Sequence, residues 1–150
     1  MGMLILNLFV ASILVMITFS IHFAGLVALS AVLRRRGVHP AYLDTIAGQG
    51  ASILFIVVSL FVLHSAEIWV YTLVYLALGI FGNLEPALYY ATSSFTTVGF
   101  GDVVIDDKWR MLGAAESANG FLLIGWSTAF LVSVSARVRA FEAHMEKLDD

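Results

Sequence analysis

The stretch Thr96-Thr97-Val98-Gly99-Phe100-Gly101-Asp102 decides the reading of this chain. Gly99 and Gly101 can enter backbone regions that a side chain disfavours, so the segment can take an irregular, non-helical path. It lies between two hydrophobic runs, from about Ile46 to Phe81 and from about Trp109 to Ala136. Irregular backbone at membrane depth is tolerated only where it is buried in protein or lines water, so this segment asks for a water-lined surround.

Working outward, Asn83-Leu84-Glu85-Pro86 reads as a helix start. Pro86 falls in the first turn, where a missing N–H costs nothing, and the helix dipole favours Glu85 there. A short helix from Glu85 to Thr96 is expected. Beyond the glycines, Asp106-Asp107-Lys108 leads into the Trp109–Ala136 span. On the other side, the run from Ile46 to Phe81 is too long for one perpendicular crossing, with His64-Ser65-Ala66-Glu67 in its middle. A further run, Met3 to Leu33, carries no basic residue before it and Arg34-Arg35-Arg36 after it, the reverse of a signal peptide, so it reads as a retained helix. At 1.5 Å per residue it would reach about 46 Å and must tilt or protrude. Gly37 and Pro40 punctuate the polar loop that follows.

Charge decides the topology. Of the eight Lys and Arg residues, Arg34, Arg35, Arg36, Arg137, Arg139 and Lys147 lie in that loop or in the tail, and Lys108 and Arg110 follow the glycines. The positive-inside rule puts the loop and tail in the cytoplasm. Residues 46 to 81 then cross once, as one helix with room for a kink near His64, residues 82 to 108 dip in and return, and the N-terminus faces outside.

Composition agrees. In 150 residues, 60% are hydrophobic and 13% charged, and the mean hydropathy of +0.92 is that of a membrane protein. The net charge of -3 gives no case for nucleic acid, and zero cysteines exclude disulfides and thiolate chemistry. No Ser-His-Asp set, metal cluster or phosphate loop suggests an enzyme.

Thr97 to Asp102, in this setting, resembles the selectivity filter of potassium channels. The resemblance covers about Ile46 to Arg139, with Asp102 directly after the filter and Trp109-Arg110 beginning the inner helix. It implies an all-α membrane protein: three transmembrane helices plus a re-entrant pore helix and filter loop, four chains forming one channel. The domains are then 1–45, an extra N-terminal transmembrane helix with an arginine-rich loop; 46–139, a pore domain; and 140–150, a short cytoplasmic tail. Backbone carbonyls of Thr97, Val98, Gly99, Phe100 and Gly101 would replace the water of potassium ions held at Thr97 to Phe100, with the Thr97 hydroxyl adding the innermost layer. Val98 and Phe100 are expected to point back into protein. Asp102 would stand at the outer mouth; Glu67, Glu85, Asp106 and Asp107 also lie toward that face. Tyr89, Tyr90, Ser93 and Thr96 would support the filter. Gly120 and Gly125, five apart as in small bacterial potassium channels, would form a hinge or gate, packing being the alternative for Gly120. Ile124, Thr128, Val132 and Ala136 form a stripe that could line the inner pore or pack on a neighbour.

The family's commoner filter has Tyr where this chain has Phe100, and some members carry a carboxylate where Ser93 stands, so filter support must differ here. No cofactor is implied beyond potassium as the permeant ion, and the partners are three further copies and membrane lipid, with anionic lipid at Arg34, Arg35 and Arg36. The implied place is the plasma or inner membrane of the cell. A non-selective cation channel, or a non-conducting accessory subunit, is the alternative. Glu116 and Asn119 stand inside the third span; Glu116 is expected to face the pore helix as a structural partner, the alternative being that it faces the cavity and binds cations. His64 and Glu67, three apart, read as a hydrogen-bonded pair, two ligands being weak grounds for a metal. Ser20, Ala24 and Ala28 form a small-residue seam that could pack against the pore domain. The first span lacks the arginines of a voltage sensor.

Overall fold

A computed structural model describes residues 1–36 and 46–149; Gly37 and Pro40 lie outside the described residues. The chain forms helix α1 (Gly2–Arg36), α2 (Ile46–Ala77), α3 (Leu84–Phe95), a 3-10 turn (Asp107–Trp109) and α4 (Arg110–Asp149). There is no strand among the described residues. Three helices, α1, α2 and α4, are long and apolar enough to cross a membrane, and α3 is a short helix wedged against α2 and α4.

α2 is one helix through His64 and ends at Ala77, earlier than the sequence reading of Phe81. Gly79 is the cause. It sits at φ +64, its N–H reaches Leu76 O at 3.0 Å, and Ile80 N–H reaches Tyr75 O at 2.9 Å. This is a Schellman closure, whose left-handed residue is best filled by glycine. α3 starts after Asn83, which is extended (φ -134, ψ 153), and ends at Phe95, with Thr96 as its C-cap. α4 continues beyond Ala136 to Asp149. The charged tail, with Ala, Glu, Met, Lys and Leu and neither Gly nor Pro, favours helix throughout.

The inward face of α1 carries Asn7, Ala11, Leu14, Thr18, His22, Leu26 and Leu29, all buried, at the three- and four-residue steps of one helix stripe. Ser20, Ala24 and Ala28 are exposed. Within one chain, this seam does not pack against the pore domain. A polar group facing lipid costs several kcal/mol, about 4–8 on hydrocarbon scales, so Asn7, Thr18 and His22 turn inward and the small residues turn out.

Each of those polar residues has a partner. Asn7 Nδ2 donates to Lys108 O (2.8 Å) and Met3 O (2.8 Å), and its Oδ1 accepts from Leu112 N–H (3.1 Å). It thus satisfies one of the orphan first-turn donors of α4 from another helix. Asn119 Nδ2 donates to Thr18 Oγ1 (2.8 Å) and to Tyr71 Oη (3.1 Å). His22 meets Glu67.

Two apolar clusters fill the space between these bonds. One gathers Ala11, Leu14, Ile68, Tyr71, Tyr75, Ala91, Phe95, Ile105, Leu112 and Leu123 around α3. The other, Leu26, Leu29, Ile56 and Leu60, lies toward the opposite end, with Leu33, Phe130 and Val134 packed on it. The start of α1 therefore shares one end of the bundle with the Asp107–Trp109 turn. Its end shares the other with the start of α2 and the later turns of α4.

Candidate pore loop

The segment after α3 has an unusual backbone. Thr97, Gly99 and Gly101 have φ of 61, 60 and 79, while Val98 and Phe100 between them do not have positive φ. Thr97 is the one non-glycine with positive φ among the described residues. In an ordinary strand successive carbonyls alternate sides. Reversing the handedness of every second residue removes that alternation, which is the backbone condition for successive carbonyls to face one side. A β-branched residue in this region costs of order 1–3 kcal/mol and persists only where its surroundings impose it.

The imposition comes from α3. Thr97 N–H donates to Ser94 O (3.0 Å) and Gly99 N–H to Ser93 O (3.1 Å). Phe100 N–H donates to Ser93 Oγ (3.2 Å). Ser93 thus holds the loop at two points, with backbone carbonyl and hydroxyl, where a carboxylate stands in some of the channels that the motif resembles. Farther along, Tyr89 Oη donates to Asp102 Oδ1 (3.1 Å) and Oδ2 (2.9 Å). That hydrogen bond to Asp102 raises the Tyr89 phenol above its ordinary range and keeps its proton in place. The Tyr89 ring also stacks on Phe100, centroids 6.3 Å apart at 19°. One tyrosine therefore ties both ends of Phe100-Gly101-Asp102 to α3.

Tyr90 does not join it. Its ring packs on Tyr75 (5.6 Å) and Phe81 (5.3 Å), on the side of α3 away from Phe100, because adjacent helix residues point about 100° apart. The Thr96 hydroxyl likewise turns back to its own helix, donating to Thr92 O (2.7 Å). Val98 and Phe100 remain 55% and 70% exposed, so within one chain they do not point back into protein.

Gly120 is buried where α4 crosses the end of α3. A Cβ there would collide with the Phe95 carbonyl oxygen and stand 2.7 Å from its carbon and 2.9 Å from its Cα. Gly113 is similarly pressed by the Tyr90 hydroxyl, whereas Gly125 has open space around it. Gly120 thus has a packing reason independent of bending. Ile124 is half-buried, and Thr128 and Val132 are exposed with Ala136 on the surface of α4. Glu116 is buried, and its hydrogen bond is to α2: Tyr75 donates to its Oε2 at 2.5 Å. Its Oε1 has no hydrogen-bond partner among the described residues. Asp106 caps the 3-10 turn through Lys108 N–H (2.8 Å), and Asp107 pairs loosely with Arg110 (3.5 Å) on the exposed surface. Glu85 is exposed near the start of α3, but Glu67 is buried between helices and not part of any outer rim.

The sequence reading missed Asn7 and Thr18 as docking residues and His22 as the third member of the His64–Glu67 pair. The signal was present: residues 7, 18 and 22 are spaced by 11 and 4, which places them on one face of a helix.

No curated protein and no solved structure matches the chain. A family model described as "Ion channel" matches residues 52–137, from within α2, through α3 and the loop, into α4. That is more than half of the chain, and the chain belongs to this ion channel family.

Proposed function

We propose that the chain is one subunit of a homotetrameric, potassium-selective channel whose filter is Thr97 to Gly101. The alternation of positive φ at Thr97, Gly99 and Gly101 carries this reading. Four copies of such a strand around an axis would offer stacked rings of carbonyl oxygens from Thr97 to Phe100, replacing the hydration shell of a potassium ion with about eight oxygens. Ions then advance by knock-on between neighbouring rings. A single chain offers too few oxygens for this and leaves Val98 and Phe100 uncovered, and both points support assembly.

The helix α3 would direct its negative C-terminal end, at Thr96, toward the central cavity and offset the cost of a cation at mid-membrane. Asp102 at the outer mouth, with Glu85, Asp106 and Asp107, would raise local cation concentration at low salt. On α4, Ile124, Thr128 and Val132 would line the inner cavity, with Gly125 free to bend. The N-terminus would face outside and the C-terminus the cytoplasm of a plasma or inner membrane, with Arg34, Arg35 and Arg36 among anionic headgroups.

Purified full-length chain in liposomes, with a potassium gradient against sodium, tests the reading. The reversal potential is expected to follow potassium, and Gly99→Ala is expected to abolish that current. A reversal potential that follows sodium, or no conductance from well-folded tetramers, rejects it.

A further inference from the structure

Deep in the bundle, behind the pore loop, His22 of α1 and His64 of α2 both direct Nδ1 at the one carboxylate of Glu67. The separations are 2.8 Å from His22 Nδ1 to Oε1 and 2.8 Å from His64 Nδ1 to Oε2. His22 and Glu67 are fully buried, and the His64 side chain is 17% exposed. Segments 2–33, 46–77 and 111–136 contain no Lys or Arg, so no fixed cation stands at this depth to balance a carboxylate. A buried carboxylate without a compensating charge is costly, and inside a spanning helix it marks a functional site.

We propose that His22, His64 and Glu67 form a binding site for one divalent transition-metal ion, with zinc matching its donor set, that clasps α1 to the pore domain. One ligand atom from each of the three residues lies within 4.8 Å of the others. Two imidazoles and a carboxylate suit zinc and its neighbours, and three protein ligands leave a fourth position open. Ligand atoms around tetrahedral zinc stand about 3.3 Å apart, so coordination spreads the present hydrogen-bonded separations by about half an ångström. Each imidazole binds as the neutral ring, its Nδ1 lone pair on the metal and its one proton on Nε2.

The surroundings hold the ligands in place. The His22 ring lies against His64 (centroids 5.4 Å, 29°) and against Trp126 (5.2 Å), and His64 also meets Phe95 (5.8 Å). Ser127 Oγ stands 3.5 Å from His22 Nε2, the outer contact that commonly fixes the ring of a metal-bound histidine. His64 is the one ligand with surface exposed, so an ion enters on its side. Because Phe95 is the last residue of α3, the clasp sits directly behind the point where the pore loop begins.

The test uses full-length protein purified in detergent from zinc-supplemented medium and passed through a weak chelator. Elemental analysis is expected to find about one zinc per chain in the wild type, and less than about a tenth of that in His64→Asn, which keeps a hydrogen-bond donor beside Glu67 but supplies no imidazole. Cobalt(II) added to metal-free wild type should give the visible absorption of a nitrogen- and oxygen-ligated centre, displaced by zinc. The wild-type cobalt measurement does not depend on any variant folding. Folded wild type that retains neither zinc nor cobalt, or His64→Asn that retains as much as wild type, overturns the site. So does a melting temperature indifferent to zinc and chelator but dependent on pH, which leaves a proton as the only bound cation.

Discussion

Replacing Gly120 with alanine separates two roles for this residue by the sign of its effect. In an exposed helix interior, Gly→Ala stabilises by about 0.5–1 kcal/mol, since alanine loses less backbone freedom. If Gly120 serves only as a hinge, the variant should fold at least as well as the wild type and differ in opening. The geometry gives the opposite expectation. The new methyl would lie 2.7 Å from the Phe95 carbonyl carbon and 2.9 Å from its Cα, besides meeting the carbonyl oxygen. Carbon atoms prefer about 3.5–4.0 Å, so α3 and α4 must part by about 1 Å. No side chain can rotate away, because the obstacle is backbone. Overpacking costs typically 1–3 kcal/mol, and a backbone obstacle belongs at the upper end, about 3 kcal/mol or two orders of magnitude in the folding equilibrium. The displacement is of α3 itself, so the anchors from Ser93 and Ser94 to the loop move with it. Gly125→Ala is the control, with nothing within 4 Å of its new methyl. Denaturant titration in detergent, followed by potassium flux in liposomes, reads both effects. A Gly120→Ala protein within about 0.5 kcal/mol of wild type would refute the packing argument.

Asn7→Ala leaves the Leu112 N–H and Lys108 carbonyl without their partner, for an expected loss of about 2–4 kcal/mol in the same titration. Glu116→Gln keeps an oxygen for the Tyr75 hydroxyl and is expected to leave internal cation block unaltered, as recordings with a blocking cation will show; altered block would place Glu116 in the cavity. Tyr89→Phe retains the stacking on Phe100 but loses the bond to Asp102, so filter closure in single-channel records should become more frequent. Phe100→Tyr, supplying a hydroxyl where the chain has none, should slow closure, and unchanged open lifetimes in both variants would separate these contacts from filter stability.

The three spans, the short helix and the irregular loop were legible because each rests on a local signal: apolar length, Pro86 in a first turn, glycine alternating with bulky residues. Which helix face meets which neighbour was less so. The seam of Ser20, Ala24 and Ala28 looked like a packing surface by size, yet the cost of placing Asn7, Thr18 and His22 in lipid outweighs close approach of small residues. Tyr89 and Tyr90 are neighbours of one type, and only the position of α4, with Gly113 against the Tyr90 hydroxyl, decides which of them reaches the loop. Gly120 was ambiguous because a glycine that bends and a glycine that admits a backbone look alike until Phe95 is in view. His22 was missed because its partners lie 42 and 45 positions away in sequence, beyond the reach of any local pattern.

The bonds made by Asn7 reach past the first helix. The family match begins at residue 52, so the sequence boundary of the pore domain and its physical boundary do not coincide. A shortened chain starting in α2 would expose the Lys108 carbonyl, the Leu112 N–H, the Asn119 amide and the Glu67 carboxylate to lipid at once. For this protein α1 is the missing wall of the pore domain, and grafting residues 52–137 into another scaffold would require a replacement for each of those four contacts.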